Sequence, residues 1–174
     1  MKKALIIFCA FFALSANTVS YQVTDTNAKI KAVFLYNFTK YIEWPKNYKE
    51  GRFVFSIWGN NPSLLIELTR MASVKTIGTQ KIDIQNITSI ENLDKCHVLY
   101  VLPENSSHFN LALAKLKGKS TLIVTEKPGL AKMGAAINFV IVDNKQKFEL
   151  NRANAEKHSL KISSSLSSLA IPVE

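Results

Sequence analysis

Cys96 and His97 are adjacent in the chain, and a thiol beside an imidazole is the starting point for a cysteine nucleophile or a zinc site. Adjacency works against both. Cys96 precedes and His97 opens the run HVLYVL, and in a strand neighbouring side chains point to opposite faces. A zinc site needs three or four ligands at workable spacing, and His108 and His158 fit no such pattern. Cys96 therefore reads as a buried core thiol, and no metal site is expected. Phosphate chemistry fares no better. Between the first strand and the following helix stands Gly59-Asn60-Asn61-Pro62, with one glycine and a proline that has no N–H to offer a pyrophosphate. There is no GxxxxGK[ST] loop and no GxSxG elbow. A phosphoaccepting domain needs a carboxylate at the end of a central strand, but HVLYVL runs into Pro103 and Glu104, with Asp83 and Asp94 misplaced. Lys127-Pro128, without such an acceptor, is a turn. The expectation is a protein without cofactor or catalytic residues, which acts by binding.

The start of the chain gives the setting. Lys2 and Lys3 precede an uncharged apolar run, Ala4 to Leu14, and small residues follow at Thr18 and Ser20. This is the layout of a secretory signal peptide over residues 1–20, cleaved near Ser20. The run is too short to span a bilayer, which takes roughly 20 apolar residues. Cys9 follows Ile7 and Phe8, too bulky for a lipoprotein cleavage box, so no lipid anchor is expected. Residues 21–174 then form one exported domain with a lone thiol, Cys96, and no internal disulfide. Of the 22 Lys and Arg, removal of Lys2 and Lys3 leaves 20 against 13 acidic groups, a net charge of +7. In the cytoplasm such an excess would suggest nucleic acid. Outside it, the charge points to acidic protein surfaces or anionic head groups, and no nucleic-acid partner is expected.

The elements that would position any site follow from periodicity. Ile30, Val33, Phe34, Phe38, Tyr41 and Ile42 recur at helical spacing, which predicts a helix over 27–42 with that stripe inward, capped by Asp25 or Thr26 and stopped before Pro45. RFVFSIWG (52–59), KIDIQNI (81–87), HVLYVL (97–102), TLIVTE (121–126) and INFVIVD (137–143) read as strands. Helices are predicted for PSLLIELTRMA, with Pro62 at its first position, and for HFNLALAKLK, capped by Asn105 or Ser106 and ended by Gly118. Asn144-Lys145 reads as a hairpin turn into KFEL, and 151–170 as a final helix with Leu160, Ile162, Leu166 and Leu169 inward. The fold class is α/β: a mostly parallel central sheet flanked by helices, with an antiparallel C-terminal hairpin and a C-terminal helix.

Two stretches carry a likeness. KAVFLYNFTKYIEWP and INFVIVDNKQKFELNRANAEKHSLKISSSLSSLA closely resemble the signatures of the YfiR-like family, with RFVFSIWG and HVLYVLP placed as in that family. The resemblance implies a periplasmic regulator that binds the periplasmic part of an inner-membrane diguanylate cyclase and holds down cyclic di-GMP output. It implies an outer-membrane lipoprotein as a second partner, and control of biofilm, exopolysaccharide and motility. It supplies no catalytic residues. Well-known relatives carry paired cysteines, which this sequence lacks. A homodimer is left open. For partner contact the expected residues are Tyr41, Trp44 and Arg152, because Trp and Arg are favoured interface anchors and both lie at element ends. The alternative is a periplasmic small-ligand sensor, with an apolar pocket beside Trp44 or Trp58. An enzyme built on Cys96 and a histidine is the third possibility.

Overall fold

A computed structural model describes residues 25–174. The expected signal peptide and Cys9 lie outside them. The chain opens with α1 (Thr26–Tyr41), whose first free N–H groups, of Asn27 and Ala28, are taken by the Asp25 carboxylate at 3.0 and 3.2 Å. It stops where the backbone turns extended ahead of Pro45, and β1 (Ile42–Glu43) follows. Next come β2 (Phe53–Trp58) and α2 (Pro62–Ala72), the latter capped by the Asn61 side chain. β3 (Thr76–Ile77), β4 (Gln80–Ile87) and β5 (Val98–Val101) continue the chain. Then α3 (Phe109–Lys115), β6 (Leu122–Thr125), α4 (Leu130–Met133) and the β7 (Ile137–Val142) to β8 (Lys145–Leu150) hairpin follow. The end is built of α5 (Arg152–Lys157), β9 (Lys161–Ile162), α6 (Ser164–Leu169) and β10 (Ile171–Pro172).

The main sheet has the order β10-β8-β7-β6-β5-β2-β4-β3. Its five central strands, β4, β2, β5, β6 and β7, are all parallel neighbours, in the order of a doubly wound sheet. Antiparallel pairing joins β3 to β4 at one edge and β8 to β7 near the other, where β10 adds to β8 in parallel. This is the expected α/β class. Two cores result, one per face. α1, α2, α5 and α6 cover the first, built on Phe38, Phe53, Phe55, Tyr100 and Phe148. α3, α4 and the 3₁₀ turn at 90–92 cover the second, built on Leu99, Phe109, Leu116 and Ile123. Val98 to Val101 are fully buried, as their unbroken apolar run requires of a strand covered on both sides.

Four local expectations are corrected. The inward face of α1 is Ala28, Ala32, Leu35 and Phe38, whereas Ile30, Val33 and Tyr41 are 38, 51 and 37% exposed. Two alanines let the helix approach the sheet closely, and the apolar spacing alone fits either face. Neither Asn105 nor Ser106 caps α3. A 3₁₀ turn from Pro103 to His108 precedes it, because Pro103 starts the turn directly after β5. The hairpin turn is Asp143-Asn144, both with positive φ (52° and 57°), so Lys145 is already strand. That is the conformation a two-residue turn of this twist demands, and Asp and Asn tolerate it. The single helix over 151–170 is broken: Ser159 sits at φ 56°, β9 interrupts, and Ser163 caps α6. Serine side chains offer the backbone alternatives to helix, and here they win. Leu160, Ile162 and Leu166 are buried, but Leu169 is 67% exposed.

Candidate functional site

β1 and β9 form a separate two-stranded antiparallel sheet, Ile42 opposite Ile162 and Glu43 opposite Lys161. This clasp brings two of the three expected contact residues to one surface. Tyr41 ends α1 beside it, its carbonyl accepting from Ser163 N–H at 2.9 Å. Arg152, exposed at the start of α5, reaches the same strand, donating from Nη2 to the Ile162 carbonyl at 3.4 Å and from Nη1 to Ser167 Oγ at 2.8 Å. A shallow depression on the clasp is bounded by Lys40, Tyr41, Glu43 and Lys161. The charge here is mostly positive. The one carboxylate on the clasp, Glu43, is held below its usual range by a hydrogen bond from Lys49 and by the charges of Lys49 and Lys161. Such a surface is complementary in charge to an acidic one.

Trp44 goes the other way. It is 5% exposed and packs edge-on against Phe53, ring centres 5.0 Å apart. Beyond it Phe53 stacks on His97 at 4.2 Å, and Tyr48 meets the same imidazole edge-on. His97 is fixed in one neutral form. Its Nδ1 accepts the Val54 N–H at 3.0 Å, so Nε2 carries the proton and donates to the Tyr48 carbonyl at 2.8 Å. Burial lowers its pKa, opposed in part by that carbonyl. Beside Trp44 opens a cavity of about 430 Å³, walled by Ile42, Trp44, Phe53 and Ile77, with the Glu43–Lys49 ion pair among its polar lining. The indole N–H is shut off from solvent and has no acceptor among the described residues, a loss on the order of 1–3 kcal/mol.

The thiol is not available for chemistry. Cys96 is fully buried on the opposite face from His97, next to Thr121, and burial pushes its pKa up to about 11. The crevice between β2 and β5, where doubly wound sheets take ligands, is spanned by this chain's own groups. The Glu104 carboxylate accepts the Asn60 N–H at 2.8 Å, and Asn105 Nδ2 donates to the Trp58 carbonyl at 3.1 Å. Gly59, at φ 131°, is required there because a Cβ would run into Glu104 and Leu102. Among the described residues no three His, Cys, Asp or Glu gather closely enough to hold a metal ion.

One buried polar feature had no signal in the sequence. Lys31 on α1 pairs with Glu126 at the end of β6, both side chains nearly buried. A lysine on an otherwise mixed helix reads as solvated, and only the tertiary contact reveals the pair. Burial foremost, and then the neighbouring Glu126, raise the pKa of Tyr100 beyond its ordinary range. No helix among the described residues is long and apolar enough to cross a membrane. The model of the YfiR/HmsC-like family matches residues 28–171, from the first turn of α1 to β10. No curated protein matches the chain.

Proposed function

Because the chain belongs to the YfiR/HmsC-like family, we propose that it is an exported regulator that binds the periplasmic part of an inner-membrane diguanylate cyclase and lowers cyclic di-GMP output. The observation that carries this reading is the extent of the match, which takes in all but the ends of the described fold. The geometry is in keeping with it. The adjacent thiol and imidazole are spent on packing: Cys96 in one core, His97 between two backbone groups in the other. The exposed residues at the clasp, Tyr41 and Arg152, can be shared with a partner.

The mechanism is linkage. A protein that prefers one conformation of the cyclase shifts the population toward it by its differential affinity, without covalent chemistry. An outer-membrane lipoprotein that competes for the regulator would release the cyclase by the same arithmetic. Excess positive charge speeds encounter with an acidic receptor surface. Deleting the gene in cells that keep the cyclase should raise cyclic di-GMP and biofilm formation, and restoring it should reverse both. An unchanged nucleotide level would refute the reading.

The cavity beside Trp44 favours a second reading, a sensor whose small ligand tunes partner binding. Its volume and apolar walls suit a small molecule. Tryptophan emission of a Trp58→Phe protein, which keeps Trp44, should then respond saturably to such a ligand, and silence to a panel of apolar metabolites would count against it.

A further inference from the structure

α1 carries apolar residues on two faces, where a helix lying on a sheet needs only one. Ala28, Ala32, Leu35 and Phe38 face the core. Ile30, Val33 and Tyr41 form a second line at helical spacing, at least 37% exposed throughout. Val33, the middle member of this line, faces a neighbouring element. Beside it runs a groove between α1 and α2, about 300 Å³, whose floor and walls include Ala32, Val33, Met71 and Val74. Val33 is 51% and Val74 74% exposed, so the groove is apolar surface open to water. Its borders are cationic. Lys29, Arg70 and Lys75 stand against one carboxylate, Glu67, and that carboxylate pairs with Arg70.

We infer that the α1/α2 groove is a docking surface for an acidic, amphipathic segment of the cyclase's periplasmic portion, seated as a helix is seated in a groove. The inference rests on the function proposed above and supplies a surface for it. Charge decides between the possible occupants. Lys29 and Lys75 have no carboxylate partner among the described residues, so the groove offers two cations to an incoming segment. A second copy of this chain pairing symmetrically would bring the same cations face to face, which repels. A flat membrane would rest on the protruding Val33 and Val74, whereas a side chain from a partner segment can also reach Ala32 and Met71, recessed between them. The apolar floor with a charged border is the arrangement that reads an amphipathic helix by its apolar anchors and flanking carboxylates.

The test uses the purified mature chain and the isolated periplasmic portion of the cyclase. Val33→Glu and Val74→Glu alter exposed side chains, so both variants should fold and melt like the parent. Each should weaken binding tenfold or more, while Lys29→Glu with Lys75→Glu should weaken it and flatten its dependence on salt. Leu111→Glu, on exposed α3 across the sheet, should bind as the parent does. If the parent binds and the groove variants bind equally well, the groove is not the docking surface and the proposed function stands. If the parent itself fails to bind, the proposed function fails, and this inference with it. A parent dimer broken by Val74→Glu, or sedimentation with phosphatidylglycerol vesicles lost in Val74→Glu, would assign the groove to self-association or to the membrane and overturn the inference.

Discussion

His97 is locked by two backbone groups that suit only its neutral form, and this makes stability depend on pH in a defined direction. Its folded pKa lies below the ordinary 6.5, so the unfolded chain takes up a proton first as pH falls. This group therefore costs no stability above about 6.5, and stability is lost below it until the folded pKa is reached. Melting should fall on going from pH 7 to pH 5, and His97→Gln should reduce that part of the fall, as followed by circular dichroism. Lys31 and Glu126 behave differently, because each compensates the other in a nearly dry place. Lys31→Met leaves a buried carboxylate alone and should cost about 3–5 kcal/mol, whereas adding Glu126→Leu should recover most of it in denaturant titrations. The opposite orientations of Cys96 and His97 could be read from strand alternation. The Lys31–Glu126 pair could not, since 95 residues separate its members and neither has a local signature.

At the scale of elements, the parallel strands were legible because their apolar runs are short, dense and bounded by turns. VLYV and LIVT have no other way to be satisfied than burial on both faces. The helices were legible in extent but less so in orientation. α1 has two apolar faces, and only contact with Phe139 and Phe148 decides that Phe38 points inward and Tyr41 does not. The serine-rich end differs for another reason: Leu160, Ile162 and Leu166 are buried as expected, but on a connection, a strand and a second helix rather than one helix. The clasp between β1 and β9 ties this end to α1 across more than a hundred residues, and no local pattern encodes that. Ile162 is its buried anchor, so Ile162→Ala should cost about 2–4 kcal/mol in equilibrium unfolding. The same change should raise the hydrogen exchange of Ser163, whose N–H bonds the Tyr41 carbonyl, ahead of global unfolding.

The described residues form a doubly wound sheet across whose usual ligand crevice Glu104 and Asn105 reach, with Cys96 and His97 folded inward and Lys31 the buried exception among mostly exposed lysines. Of the expected contact residues, Tyr41 and Arg152 share a surface at the clasp, and Trp44 instead supports the fold beneath it. The clasp, bordered by Lys40 and Lys161, and the α1/α2 groove, bordered by Lys29, Arg70 and Lys75, are the proposed recognition surfaces. Such a molecule would act through affinity, and its effect should saturate with concentration and weaken with salt. The most direct measurement is the rate of cyclic di-GMP synthesis by the full-length membrane cyclase, reconstituted in vesicles with its periplasmic part outward, as the purified mature chain is added. A saturable fall in that rate is expected, with the added protein recovered unchanged. A rate indifferent to the protein at every concentration would contradict the proposed function.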